Sequence, residues 1–229
     1  MFKKGTLFII ATPIGNLEDI THRAIRVLNE VDVICSEDTR QTKKLLNRYQ
    51  IPTSQISYRD QNHTRVVGEI IQRLDAGQDV ALVSDSGTPL ISDPGFKLVE
   101  DVLSHDFRII PIPGPSAITA AISAAGLPTD RFTFLGFLPK KDNARKDLLT
   151  KYGSLDSTLI IYESPFRLKK LLEEIKETLG NRFIGICAEL TKVHENISRG
   201  LIDNVSLDEI VEKGEYVVLI AKEGYSGGK

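Results

Sequence analysis

The run Pro111-Ile112-Pro113-Gly114-Pro115-Ser116 divides this sequence. Three prolines within five residues fix three φ angles and withdraw three backbone donors, so neither a strand nor a helix interior is expected to pass through. The run reads as the boundary between an N-terminal α/β domain at 1–113 and a C-terminal α/β domain at 114–223, with a disordered tail at 224–229. A chain of 229 residues is long enough for two such domains, each with its own core.

Before the break, short apolar runs alternate with segments of helical length. Strands are expected at 6–11, 31–36, 80–84 and 108–111. Helices are expected from the N-cap Thr21 to Glu30, from Thr39 to about Gln50, from Asn62 to Ala76 with a stop at Gly77, and from Phe96 to Ser104. Apolar strands separated by helices predict a mostly parallel sheet covered on both faces. After the break, Pro115 and Ser116 open a small-residue helix at 117–125 that ends at Gly126. Strands follow at 132–137, 158–163, 183–190, 197–201 and 216–221. Consecutive strands and one hairpin-like pair predict a mixed second sheet.

Composition removes several classes of function. The net charge of −2 supplies no global field for nucleic acid, so any such grip comes from local patches. Cys35 and Cys187, the two cysteines, sit in apolar runs without CxxC or Cys/His spacing and read as reduced, buried thiols; no metal site is expected. The first apolar run spans six residues, too short for a signal peptide or a membrane span, which makes the cytoplasm the default. No GxGxxG follows the first strand, GxxxxGK[ST] and HExxH do not occur, and no GxSxG elbow joins a strand to a helix, which sets aside dinucleotide, P-loop, zincin and serine-elbow chemistry.

The chemistry is marked instead by Ala81–Gly95. An apolar run ends in Ser84-Asp85-Ser86-Gly87-Thr88-Pro89, followed at once by Ser92-Asp93-Pro94-Gly95. Proline and glycine leave such a loop few conformations and allow close backbone approach. At the carboxyl end of a parallel strand, that is where open α/β sheets bind small ligands. Asp93 is expected to cap the helix that follows.

Seven segments stand in order along the chain: Ala11-Thr12-Pro13-Ile14-Gly15-Asn16-Leu17, Ser36-Glu37-Asp38-Thr39-Arg40, Ser84–Gly95, Pro113-Gly114-Pro115-Ser116-Ala117, Gly136-Phe137-Leu138-Pro139, Tyr162-Glu163-Ser164 and Glu189-Leu190-Thr191-Lys192. Together they resemble the ribosomal RNA small subunit methyltransferase I family of the tetrapyrrole methylase superfamily. The resemblance implies two α/β domains with S-adenosylmethionine in a cleft between them, a homodimer, and 2′-O-methylation of a cytidine ribose in the decoding region of small-subunit (16S) rRNA. The substrate is then free rRNA or the assembled small subunit. Two other functions are carried beside it: methylation of a tetrapyrrole precursor, and a non-catalytic ribosome-binding module. The sequence departs from the family in three places. It has Arg59-Asp60-Gln61-Asn62 where the family often has His-rich spacing, and Phe166 where a histidine usually follows Tyr-Glu-Ser-Pro. Family members also carry a further C-terminal segment beyond the point where this sequence stops.

On that resemblance, the cofactor-binding residues are Pro13, Asp85, Ser86, Gly87, Thr88, Ile91, Ser116, Ala117, Tyr162 and Leu190. Asp85 would accept from the amino group or ribose of the cofactor. A ribose hydroxyl is a poor nucleophile and gains from a nearby base or cation. Glu37, Lys192 and Glu163 are the leading catalytic residues, with Asp38 and Glu189 beside them; His194 reads as part of a solvated loop. Two basic stripes suit phosphates: Arg40, Lys43, Lys44 and Arg48 on one helix, and Lys140, Lys141, Arg145 and Lys146.

Overall fold

The computed structural model describes residues 4–206 and 211–227, in two compact units that meet in sequence between Ser116 and Ala117. The first unit is built from β1 (Thr6–Ile10), α1 (His22–Glu30), β2 (Val33–Ser36), α2 (Thr39–Arg48), β3 (Gln55–Ser57), α3 (His63–Asp75), β4 (Val80–Val83), α4 (Phe96–Ser104) and β5 (Arg108–Ile112). All pairings are parallel and the order is β3-β2-β4-β1-β5. The cause is visible in β2 and β4, Val-Ile-Cys-Ser and Val-Ala-Leu-Val, buried at every position. A strand with no polar alternation needs cover on both faces. One face packs Ile10, Ile34 and Val83 under Ala24, Val27 and Leu28 of α1 and Leu45 and Leu46 of α2. The other packs Leu7, Cys35 and Leu82 under Ile70 and Leu74 of α3 and Leu98 and Val102 of α4.

Two expectations change here. Pro111 does not end β5; it lies inside the strand, in register with Ile9. The strand tolerates it because β5 is an edge paired only with β1, so the missing donor faces no partner. The three-residue β3, paired with β2 through Ile34, Cys35 and Ser36, was not foreseen.

The second unit holds α5 (Ala117–Ala124), β6 (Phe132–Phe137), α6 (Asp142–Gly153), β7 (Thr158–Glu163), α7 (Pro165–Leu179), β8 (Phe183–Ala188), β9 (Asn196–Leu201) and β10 (Tyr216–Ile220). Its sheet runs β6-β7-β10-β8-β9, with β6–β7 parallel and the rest antiparallel, the mixed sheet expected. Leu159, Ile161, Ile184, Val218 and Ile220 pack against Leu149 of α6 and Leu168, Leu171 and Ile175 of α7. Between those helices, buried Arg145 is clamped by Glu174, whose Oε1 accepts from Nη2 at 2.6 Å. Arg145 also donates to Pro139 O at 2.9 Å and Lys140 O at 3.2 Å and pairs with Asp142 at 3.0 Å.

The stretch 224–229 was expected to be disordered. Tyr225 instead sets its ring against Phe183 at 5.4 Å and donates to Gly126 O at 3.1 Å; 228–229 lie outside the described residues. Cys35 and Cys187 are buried thiols, both pushed up to about 12, first by desolvation. Among the described residues no helix is long and apolar enough to cross a membrane, and no group of side chains could hold a metal ion.

Candidate functional site

The topology of the first unit fixes where its crevice lies. The adjacent strands β1 and β4 send their following helices, α1 and α4, to opposite faces of the sheet. The carboxyl ends of such a pair form the topological switch point, where no helix closes the top of the sheet and ligands bind. The loop after β1 and the loop after β4 meet there. Thr12 N–H donates to Gly87 O at 2.8 Å, and Gly87 N–H donates to Thr12 O at 3.0 Å. Gly87 holds φ at 82°, a conformation that costs glycine little. A Cβ there would also press to 3.3 Å from the Ile14 side chain.

Hydroxyls lock this junction. Thr12 Oγ1 donates to Ser84 O at 3.2 Å, Ser84 Oγ donates to Gly87 O at 3.2 Å, and Thr88 Oγ1 donates to Pro115 O at 3.2 Å. The last bond ties the loop after β4 to the loop after β5, so Thr88, Gly87 and the Pro115-Ser116 backbone form one connected rim. Thr12 and Ser84 were not singled out from the sequence as site residues; the hydroxyl directly after an apolar strand was the available signal. Pro13 and Thr88 are half-buried along this rim, while Asp85, Ser86 and Ile91 are exposed.

The loop after β2 joins the same rim. Asp38 caps α2, accepting from Arg40 N–H at 2.9 Å, and its own N–H donates to Asp85 Oδ1 at 2.9 Å. The Arg40 guanidinium holds the Asp38 carboxyl well below the usual range. Glu37 shows the opposite sign. Partial burial, then the Asp85 charge, raise its affinity for a proton. Arg59 and Asp60 brace both loops: Arg59 Nε donates to Glu37 O at 2.9 Å, and Gly95 N–H donates to Asp60 Oδ1 at 3.3 Å. The stretch that departs from the resemblance is therefore a scaffold here.

Asp93 does not cap α4. The N-cap is Gly95, with φ at 130°, and no side chain caps the helix. A Cβ at Gly95 would fall 2.8 Å from Leu82, so this N-cap is reserved for glycine and its backbone conformation, and Asp93 turns elsewhere. Burial and then the Glu37 charge push Asp93 up to about 6.

In the second unit, the remaining expected residues gather at one end of the sheet. Phe137 of β6 pairs with Tyr162 of β7; Glu163 pairs with Tyr216 of β10; Tyr216 pairs with Ala188, the last residue of β8. Tyr162 is half-buried between the rings of Phe134 at 4.8 Å and Phe137 at 5.5 Å. Buried Leu190 sits in a tight turn whose flanking residues, Glu189 and Thr191, have φ of 50° and 67°. Lys192 Nζ holds that turn, donating to Glu189 at 2.9 Å and Glu215 at 2.8 Å. Partial burial works against its charge, but those two carboxylates outweigh it and keep Lys192 protonated. Glu163 is sealed: Oε1 accepts from Ser164 N–H and Arg167 Nε, each at 2.7 Å, and Oε2 is buried without a partner. Glu37, the catalytic expectation carried by the first unit, lies beside the switch-point rim, with its proton affinity raised.

The basic stripes divide differently from the sequence reading. Arg40, Lys43, Lys44 and Arg48 are exposed along α2, whose other side buries Thr42, Leu45 and Leu46. Lys140 and Lys141 are also exposed. Arg145 is not available to a phosphate; it is 3% exposed and spent on Glu174. Lys146 is half-buried and bound to Glu177 at 2.6 Å. Spacing along a sequence shows charge, but the carboxylates that absorb it come from α7, a distant segment.

The family described as Tetrapyrrole (Corrin/Porphyrin) Methylases matches residues 6–206. The chain is 47% identical over 223 residues to a protein of Halalkalibacterium halodurans named ribosomal RNA small subunit methyltransferase I, covering 96% of this chain and 77% of that protein. It is 46% identical to a protein of that name from Synechocystis sp., covering 95% and 79%, and 44% identical to one from Thermotoga maritima, covering 86% and 89%. Among solved structures it is similar to the methyltransferase CobJ (TM-score 0.72, 20% identity, covering 98% and 97%). It is also similar to the cobalt precorrin-4 methyltransferase CbiF (TM-score 0.68, 19% identity, covering 94% of each). These two likenesses concern the fold.

Proposed function

Since the chain belongs to the ribosomal RNA small subunit methyltransferase I family within the tetrapyrrole methylases, we propose that it transfers a methyl group from S-adenosylmethionine to the 2′-hydroxyl of a cytidine in the decoding region of 16S rRNA. The observation that carries this reading is the rim at the β1–β4 switch point, where Gly87, Thr88 and Asp85, residues that the family resemblance assigns to the cofactor, are held by hydrogen bonds with Thr12, Pro115 and Asp38. The substrate is small-subunit rRNA, and the protein works as a cytoplasmic homodimer.

The residues fit the cofactor. Asp85 is exposed at the rim, with one carboxylate oxygen committed to Asp38 N–H, and its charge suits an ammonium group or a ribose diol. Gly87 leaves backbone where a side chain would stand. Pro13, Ser86, Thr88, Ile91, Ser116, Ala117, Tyr162 and Leu190 complete the proposed contacts. When bound, S-adenosylmethionine supplies an activated methyl group on a sulfonium that leaves as a neutral thioether.

Because that leaving group needs no proton, the protein's work is on the acceptor. The ribose oxygen must be aligned with the methyl carbon, and proximity supplies most of the rate. As the new O–C bond forms, the hydroxyl proton must leave. Glu37 takes it: its carboxylate is more basic than an ordinary one and lies beside the rim. Lys192, fixed as an ammonium, and Glu163, sealed under Arg167, position the second unit's turn and strand end. Arg40, Lys43, Lys44, Arg48, Lys140 and Lys141 meet RNA phosphates.

Titration calorimetry with S-adenosylmethionine tests the first half of this reading. Asp85→Ala is expected to weaken binding about tenfold or more, the scale of a lost charge-assisted hydrogen bond. Wild-type-strength binding by Asp85→Ala would remove Asp85 from the site. For the second half, Glu37→Gln is expected to bind the cofactor normally and to methylate small subunits about a hundredfold or more slowly.

A further inference from the structure

We propose that Phe137 and Phe166 form a stacking platform for unpaired bases of the RNA substrate, with Lys140 and Lys141 holding the adjoining phosphates. The proposal rests on the rRNA reading above and adds to it two aromatic contacts at the second unit, beside lysines already assigned to phosphates.

The platform begins with an irregularity in β6. Phe134 pairs with Ile160, but Gly136 pairs with Ile161 and Phe137 with Tyr162, so Leu135 is an extra residue in the strand. Gly136 absorbs the bulge with φ at 64°. Residues three apart on a regular strand point to opposite faces. The bulge cancels that, and Phe137 comes onto the same face as Phe134 and Tyr162. The three rings form an edge-on row, with centroids at 4.8 and 5.5 Å from Tyr162. A bulge at the end of a strand re-aims a side chain, and here it re-aims an aromatic one.

The row ends in solvent. Phe137 is 59% exposed and Phe166, at the second position of α7, is 77% exposed. Both stand at the carboxyl end of the β6–β7 pair, where Arg167 Nη1 reaches Leu138 O at 3.4 Å and joins the two segments. The exposed faces of these two rings leave apolar surface in water. The π-face of any base would cover it.

The charges around the rings favour RNA over an apolar protein partner. Most cations here are already neutralised: Arg145 by Glu174, Lys146 by Glu177, Arg167 by Glu163 and Lys170 by Asp142. Lys140 and Lys141 are exposed and make no ion pair among the described residues. Two adjacent free ammonium groups beside two exposed rings match the pattern by which single strands are held, with bases on aromatic faces and backbone on cations.

The chain contains no tryptophan, which supplies the test. In Phe166→Trp the indole is the only tryptophan emitter. Titration with a single-stranded RNA copying the decoding region is expected to quench it at near wild-type affinity, while fully duplexed RNA does not. Phe137→Leu and Phe166→Leu keep an apolar side chain without a π-face and are expected to bind the strand about tenfold more weakly each. The affinity of Phe166→Leu for S-adenosylmethionine should stay unchanged. Wild-type affinity in both leucine variants, or no quenching by the single strand, overturns the platform. So does a defect seen with assembled subunits but not with the naked strand, which assigns the rings to a ribosomal protein. A shift in sedimentation from dimer to monomer in the leucine variants also overturns it, assigning the rings to a second copy. Methyl transfer by the wild-type protein is measured in parallel: transfer to small subunits with unaffected leucine variants rejects the platform alone, whereas no transfer rejects the rRNA reading and the platform with it.

Discussion

Replacing Glu174 by alanine leaves the Arg145 guanidinium, 3% exposed, without its main counter-charge. Breaking a buried pair by removing one partner costs about 3–5 kcal/mol, most of it the desolvation of the charge left behind. Arg145 keeps Asp142 at 3.0 Å and two carbonyl oxygens, at 2.9 and 3.2 Å, so the lower end, about 3 kcal/mol, is expected. Removing both charges together restores an apolar contact between α6 and α7. Arg145→Met/Glu174→Leu is therefore expected within about 1 kcal/mol of wild type. Urea denaturation followed by circular dichroism, with hydrogen exchange on α6 and α7 to isolate the second unit, gives the three free energies. A Glu174→Ala variant within about 1 kcal/mol of wild type, or a double variant no better than the single, would refute the argument. The same double variant is also informative about RNA. Arg145 is spent on α7, so rRNA affinity should be unchanged despite the loss of a cation from a basic run.

Reversal of Arg40, Lys44 and Arg48 to glutamate is expected to weaken rRNA binding and to flatten the salt dependence of log Kd by roughly 2–3, measured by filter binding across a salt series. Asp93 binds its proton more tightly folded, at about 6, than at its ordinary value of 3.8. Its contribution is thus complete below that ordinary value and lost as pH rises through about 6. Asp93→Asn should flatten the stability profile between about pH 4 and pH 7, and an unchanged profile would show that the Asp93 carboxyl is not the titrating group. Native protein at about pH 8 should leave a chromogenic disulfide reagent unreacted until denaturant is added, because both thiols are buried and protonated.

What could be read in the sequence was what local physics decides. Thr21 caps α1 through its hydroxyl on Ala24 N–H, and the apolar runs of β2 and β4 announce a parallel sheet between helix layers. The loop from Ser84 to Gly95 announces a ligand rim. Misreadings arose where a distant partner decides. Pro111 fits in β5 because nothing pairs on its outer side, which only the strand order reveals. Arg145 reads as a phosphate ligand until Glu174 arrives from another helix. Asp93 is a local misreading instead, since Gly95, two residues on, takes the cap position. Arg59 and Asp60 carry no motif of their own, and their bonds across the rim give them their roles.

The order of strands also sets a timetable for synthesis. In the first sheet β1 sits between β4 and β5, so Leu7 emerges from the ribosome long before its neighbours Val80 and Ile109 exist. In the second sheet the delay falls at the other end. β10 lies in the middle, between β7 and β8, and among the described strands it is the last to be made. Until Tyr216–Ile220 leaves the exit tunnel, the β6–β7 and β8–β9 pairs have no strand to join them, and the faces meant for α6 and α7 stay partly open. Non-local pairing of this kind folds slowly and exposes apolar surface while it waits. The nascent second unit should therefore need shelter until its keystone strand is released, and a ribosome stalled just before Tyr216 should display it unassembled.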